Sequence, residues 1–503
     1  MPRRALTLLL SVSFLVLSGA SARADVTCVF DEAVMAVQLS APIVPISVVR
    51  SGMEIVVLDG DDPVDCGTPA PTVGTTDEIQ VTDLTPGSSA FTIDLSGGPF
   101  ESSGSKLAFD VALGGGSSDA LLVNGSSSAD HMTLAGAGID LDATSDPGPH
   151  VALSGVELVV VDGAGGDDTL DAGDPIDPFL RVVELRGGDG ADTLIGGDAG
   201  DLLVGGGGAD DLLGGDGPDV LRGGAGIDSL DGGQGDDLLA GGPGDDEEAG
   251  GPGNDIFDQG TAEDGEDDLD GGAGQLDVVA YDLRTEAVTV VLDGPSVSGE
   301  AGEGDAVAGI EVALGGAGDD SLTGAGGDDS LRGGPGQDVL VGGGGDDYLA
   351  GGPGQDHLNG GVGDDTASFF GASGPVEASL ADGVAVTEGE QDTLQGIQNL
   401  DGSRHADVLV GDDGPNMLMG RGGADRLIGG GGEDTLDGGD QHDDLRGGVG
   451  NDLLHGREGA DLLQGGSGND ALRGGPGRDT ASFRTSSSGV RASLAAGSAT
   501  GQG

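Results

Sequence analysis

The stretch Gly223-Gly-Ala-Gly-Ile-Asp-Ser-Leu-Asp231 decides how this chain is read. It is one unit of a nine-residue period: two glycines usually open the unit, an aspartate takes the sixth place, and an apolar residue, mostly Leu, takes the eighth. In a first block the aspartates are Asp192, Asp201, Asp210, Asp219, Asp228, Asp237, Asp246 and Asp255. In a second they are Asp320, Asp329, Asp338, Asp347, Asp356 and Asp365. In a third, Asp407, Asp425, Asp434, Asp443, Asp452, Asp461, Asp470 and Asp479 keep the phase, and only Asn416 replaces an expected aspartate. Leu194, Leu203, Leu212 and Leu221 mark the apolar place. A flexible Gly-rich linker has no reason to hold Asp and Leu at fixed phase. A carboxylate, a glycine loop and one apolar residue at constant spacing describe a metal-dependent solenoid.

The residue types select the metal. Calcium takes six to eight oxygens at about 2.3–2.6 Å, and carboxylates and backbone carbonyls supply them. Glycine lets those carbonyls turn inward through dihedrals that other residues avoid. Two Cys and six scattered His form no thiolate or imidazole cluster, which argues against zinc or copper. The energetics point the same way. Each unit buries about one Leu, worth roughly 1.5–3 kcal/mol. Ordering its nine residues costs on the order of 1–2 kcal/mol each in backbone entropy. Apolar burial alone loses, so folding and ion binding are expected to be one event.

The unit fits G-G-x-G-x-D-x-U-x, with U a large apolar residue, and over roughly three fifths of its length the chain resembles the RTX family of calcium-binding repeat proteins. The resemblance implies an all-β fold of parallel β-roll or β-solenoid blocks, each nonapeptide forming half a turn. It implies calcium between turns stacked on one side, so that units two apart pair, as Asp192 with Asp210 and Asp201 with Asp219, with loop carbonyls completing each site. All the block aspartates named above are then candidate ligands. Same-side pairs in blocks of eight, six and nine units number six, four and seven, or at most 17 Ca²⁺, which would cancel 34 of 71 net negative charges. Weak sites are expected where Glu248 replaces the apolar residue, where Ala199 and Gln441 replace the fourth glycine, and at Asn416.

Composition sets the setting. The 503 residues include 107 Gly, no Trp and 2% aromatic residues, too few large side chains for a broad core. The net charge of -71 makes the chain repel itself unless cations neutralise it, and argues against nucleic acid or anionic membrane surfaces as partners. Arg3 and Arg4, an apolar run over Leu6–Leu17 and the small-x-small site Ala22-Arg23-Ala24 read as a cleaved signal peptide. The expected location is therefore extracellular or cell-surface. No later stretch approaches a transmembrane span. Cys28 and Cys66 suit a disulfide in an exported protein. Family members often use a C-terminal export signal, and the N-terminal one here is a departure.

Along the chain, residues 1–24 form the leader and 25–160 a small all-β domain, with strand signals at Glu54–Leu58, Phe91–Leu95, Lys106–Leu113 and Val156–Val161. The first block spans 161–258, with a repeat-like unit at Gly163–Asp171 and full units from 187. A separator covers 259–314, the second block 315–368, another separator 369–401, and the third block 402–482. Residues 483–503 read as a partial separator or truncated end, whose lack of a cap would favour self-association. The separators echo one another. Asp277-Val-Val-Ala-Tyr281 matches Asp365-Thr-Ala-Ser-Phe369, Val288–Gly294 loosely matches Val376–Gly383, and Gly309-Ile-Glu-Val matches Gly396-Ile-Gln-Asn.

No H-E-x-x-H or G-x-S-x-G motif occurs, and the six histidines, His131, His150, His357, His405, His442 and His455, lie alone in turn-rich sequence. The sequence therefore reads as a secreted calcium-binding protein with a structural, adhesive or matrix role and an extracellular or surface partner, not as an enzyme. Its rivals are a hydrolase or polysaccharide-modifying enzyme centred in residues 25–160, and a disordered acidic chain indifferent to calcium.

Overall fold

The computed structural model describes residues 158–173 and 182–484 nearly throughout, together with strand backbones and a few side chains between residues 26 and 154 and a strand backbone at Ser498–Gln502. The leader, Cys66 and the Cys28 side chain, and with them the disulfide, lie outside the described residues. So do His150, the side chain of His131 and residues 485–497.

The described chain is all β. Each unit alternates: the sixth-place aspartate, the eighth-place apolar residue and the next glycine point inward, and the residues between them point out. Strand Leu202–Gly208 shows this as Leu203 and Gly205 buried between less buried neighbours. That period of two is what a strand requires. The loop then reverses the chain through left-handed backbone at its second and fourth residues, as at Gly206 (φ 116°) and Gly208 (φ 148°), which suits glycine.

Consecutive units land in opposite stacks. In one stack, parallel pairing runs unbroken from Leu158–Gly165 to Asn469–Arg473, with Leu203 on Leu221 and Leu221 on Leu239. The other stack places Leu194 on Leu212 and Leu212 on Leu230. Between the stacks lies a file of leucines, nearly all at most 3% exposed. The β-roll expected from the resemblance is therefore the fold. The sequence runs at Glu54–Leu58, Phe91–Leu95, Lys106–Leu113 and Val156–Val161 all become strands.

The separators do not interrupt the first stack. In the second stack each inserts a three-stranded meander. Asp305–Ala308 continues the parallel stack on Asp268–Gly272, turns antiparallel into Gly294–Ser298, then reaches Thr289–Val291, which restarts the stack on Ser321–Thr323. The second separator repeats this with Glu390–Gln395, Val384–Thr387 and Val376–Ser379, restarting on Val408–Val410. The long repeat legible in the sequence is thus a repeat of structure. At the far end, Ser498–Gln502 pairs antiparallel with Asn469–Arg473 in one stack, while the other stack's last described strand is Thr480–Ala481. The edge left open in the sequence reading is covered in the first stack.

Candidate metal centre

The sixth-place aspartates form hydrogen-bonded ladders along each stack. The backbone N–H of one donates to Oδ1 of the aspartate two units on: Asp192 to Asp210 at 2.8 Å, Asp210 to Asp228 at 2.8 Å and Asp228 to Asp246 at 2.8 Å. The opposite stack does the same from Asp201 to Asp219, Asp237 and Asp255. Blocks two and three follow, as Asp320 to Asp338 to Asp356 and Asp425 to Asp443 to Asp461. Pairing of units two apart is what the geometry shows.

Of the 22 candidate aspartates all but Asp479, which is half-buried, are buried. In sixteen of them one oxygen serves the ladder and the other is bare. Oδ2 of Asp192, Asp210, Asp219, Asp228, Asp237, Asp246 and Asp255 in block one has no hydrogen-bond partner. The same holds for Asp338, Asp347, Asp356 and Asp365, and for Asp425, Asp434, Asp443, Asp452 and Asp461. A buried carboxylate oxygen without a partner is costly. Burial accordingly pushes Asp219 up to about 8 and Asp338, Asp356 and Asp425 up to about 7, against the lowering effect of the ladder N–H.

The first glycine of each unit shows what faces that oxygen. A Cβ on Gly205 would sit 2.4 Å from Asp210 Oδ2 and 2.6 Å from the carbonyl oxygen of Gly223. On Gly429 it would sit 2.2 Å from Asp434 Oδ2 and 2.6 Å from Gly447 O. Carboxylate and carbonyl oxygens from successive turns thus converge where glycine leaves space. Among the described residues no three acidic, His or Cys side chains converge as a metal cluster, so an ion here must draw on backbone carbonyls. An oxygen-only set with a bare carboxylate oxygen fits a hard divalent cation such as calcium.

The family comparison agrees. The profile described as the RTX calcium-binding nonapeptide repeat matches residues 186–248, 305–367 and 401–481 in overlapping groups. The chain carries RTX calcium-binding nonapeptide repeats across residues 186–481. No curated protein matches it as a relative.

Some RTX units depart from the pattern. Where a ladder begins, its first aspartate receives an N–H from its own loop, four residues back. Gly316 donates to Asp320 Oδ2 at 2.7 Å, Ala325 to Asp329 Oδ2 at 2.6 Å and Ser403 to Asp407 Oδ2 at 2.6 Å; the Gly197 N–H similarly lowers Asp201. Asn416, which also begins a ladder, goes further: Oδ1 accepts from Asp412 N–H at 2.8 Å and Nδ2 donates to Gln398 O at 2.8 Å. Both ends of its amide thus have partners within the protein. Glu248, in the apolar file, is fully buried and pushed up to about 8 by desolvation, with Oε1 accepting from Gly241 N–H at 2.9 Å. Gln441 holds the fourth glycine's place at φ 85°.

The ladder also recruits residues outside the regular phase. Asp168 accepts from Asp130, Asp267 from Asp246, Asp277 from Asp255, Asp305 from Asp267 and Asp392 from Asp356. Glu311 and Gln398 end two ladders by accepting from Asp277 at 3.0 Å and Asp365 at 2.7 Å. The usable signal was the aspartate two residues before an apolar residue, which survives in Asp267-Asp-Leu269 and Asp392-Thr-Leu394 although the spacing does not. Of the histidines, His357, His405 and His442 are exposed and His455 half-buried.

Proposed function

We propose that this is an exported protein whose block aspartates hold calcium through their bare oxygens, at most 17 ions, and that calcium converts the chain from a self-repelling polyanion into a rigid β-roll with a structural, adhesive or matrix role. The observation that carries this reading is the file of buried Oδ2 atoms without partners. Burial raises the carboxyl groups that carry these oxygens, Asp219 to about 8 and Asp338, Asp356 and Asp425 to about 7, so a counter-charge beside them is needed to keep them ionised at neutral pH, and the repeat supplies carbonyl oxygens at that point. Export is supported by the leader sequence Met1–Ala24, and folding after export suits a route that moves unfolded chains. We read the protein as a binding and scaffold protein and not a catalyst, since its acidic groups serve the ladder.

Equilibrium dialysis of residues 25–503 tests the site assignment. Many ions per chain, approaching but not exceeding 17, are expected, and one or two would contradict it. A reporter fused after Ala24 should leave the cytoplasm; retention would overturn export.

A further inference from the structure

The two separators are built alike, and the difference between them is an empty place. In the first, Arg284 lies seven residues after Asp277, and its N–H closes a turn on Tyr281 O at 2.9 Å. Its side chain is 0% exposed. The guanidinium bonds Gln259 O at 2.9 and 2.6 Å, Asp264 at 2.6 Å and Glu303 at 2.9 Å, with Glu300 at 3.6 Å. It also lies 5.8 Å from the Tyr281 ring centroid, and the Tyr281 hydroxyl donates to Asp305.

In the second separator Asp365 takes the place of Asp277, so Phe369 stands for Tyr281 and Ala372 for Arg284. The turn is the same, with Ala372 N–H on Phe369 O at 2.9 Å. Asp392 ends its ladder as Asp305 does, which aligns Glu390 with Glu303 and Thr387 with Glu300. Pro353 aligns with Asp264, three residues before Asp356 and Asp267. Phe369, Ala372, Thr387, Glu390 and Pro353 all line one cavity of about 430 Å³. Where the first separator is filled by its own guanidinium, the second is open.

We propose that this cavity receives a guanidinium group, carried on an arginine side chain of a partner polypeptide. Glu390 provides the carboxylate that Glu303 provides in the first separator, and among the described residues no cation is paired with it. Phe369 and Tyr348 offer aromatic faces in a chain with only 12 Phe and Tyr, and such faces favour cations; Phe370 beside them already carries the guanidinium groups of Arg404 and Arg421, at 4.8 and 5.7 Å from its ring centroid. Two cations share the wall. Arg421 is engaged by Asp401 through both oxygens, and Arg332 is exposed and has no acidic partner among the described residues, opposing a cationic guest. The net charge of -71 draws basic partners toward the site. The proposal rests on the calcium-folded state, so the test separates the two.

Residues 25–503 are first shown by circular dichroism to be folded in calcium, then titrated with N-acetyl-arginine amide by calorimetry and tyrosine emission. Tyr348 lines the cavity, and the other of the two tyrosines, Tyr281, is buried. Saturable one-to-one binding is expected, with none for the uncharged citrulline analogue. Glu390→Gln should weaken it at least about tenfold, the scale of one charge-assisted hydrogen bond. Arg332→Gln should tighten it, and Ala372→Arg should abolish it. A calcium-folded chain that binds no probe, binds citrulline equally, binds a neutral saccharide in its place, or is unaffected by Ala372→Arg overturns the proposal. A chain that calcium does not fold contradicts the calcium reading instead.

Discussion

Two neighbouring rungs, Asn416 and Asp434, occupy the same place in the same ladder and meet it in opposite ways. Asp434 Oδ1 accepts the Asn416 N–H at 3.0 Å and its Oδ2 is left bare. Asn416 uses both ends of its amide, toward Asp412 and Gln398, and leaves nothing bare. The backbone therefore needs one side-chain oxygen per rung, and the second atom decides whether the rung asks for a cation. The ladder starts at Asp320, Asp329 and Asp407 lie between these cases, with a loop N–H in the cation's place.

The loops give the sharpest break of this comparison. A Cβ on Gly208 would lie 1.4 Å from Gly190 O, at φ 148°, whereas on Gly207 its nearest neighbour would be 3.7 Å away. Gly208→Ala should separate turns and close the gap that holds the ion, costing about 3 kcal/mol or more. Thermal unfolding in saturating calcium measures it, and an unchanged midpoint would contradict the stacked-loop account.

The next effect is on proton uptake. Folded values of about 8 at Asp219 and about 7 at Asp338 and Asp425 stand above the ordinary carboxylate value of about 3.9. The calcium-free folded state therefore binds more protons than the unfolded chain. Its stability is fullest below about pH 4 and is lost as pH rises toward about 8. Without calcium, acidification should restore β signal; with calcium, protons compete and apparent affinity should fall as pH drops. Calcium titrations at pH 5 and 8 check the sign, and equal midpoints would refute it.

A smaller effect follows from exchanging the two rung types. Asp434→Asn should lower calcium stoichiometry by about one, while the same change at Asp407, whose Oδ2 already has the Ser403 N–H, should leave it nearly unchanged. Native mass spectrometry counts the ions, and equal losses at both positions would erase the distinction. Smallest of all, Gly207→Ala should fall within about 0.5 kcal/mol of the parent in thermal unfolding.

The block aspartates and the leucine file were legible because a strict period projects one residue type onto one place in every turn. The separators were legible as repeats, from Asp277-Val-Val-Ala-Tyr281 and Asp365-Thr-Ala-Ser-Phe369, but their ladder residues were not. Asp267 and Asp392 are reached after 21 and 36 residues, outside any fixed phase. Arg284 was silent for a related reason. Its partners Gln259, Asp264 and Glu303 lie 25, 20 and 19 residues away, and only the meander brings them together. The satisfied second oxygens at Asp320, Asp329 and Asp407 depend on loop position at a ladder start, which the identical residue type conceals.

The most direct test is circular dichroism of residues 25–503 titrated with CaCl₂ from chelator to about 10 mM, against MgCl₂ at matched ionic strength, a range that covers weak extracellular sites. A cooperative gain of β signal with calcium alone is the predicted result. An equal response to magnesium, or none to either ion, would contradict the claim that the bare oxygens of the ladder are completed by calcium.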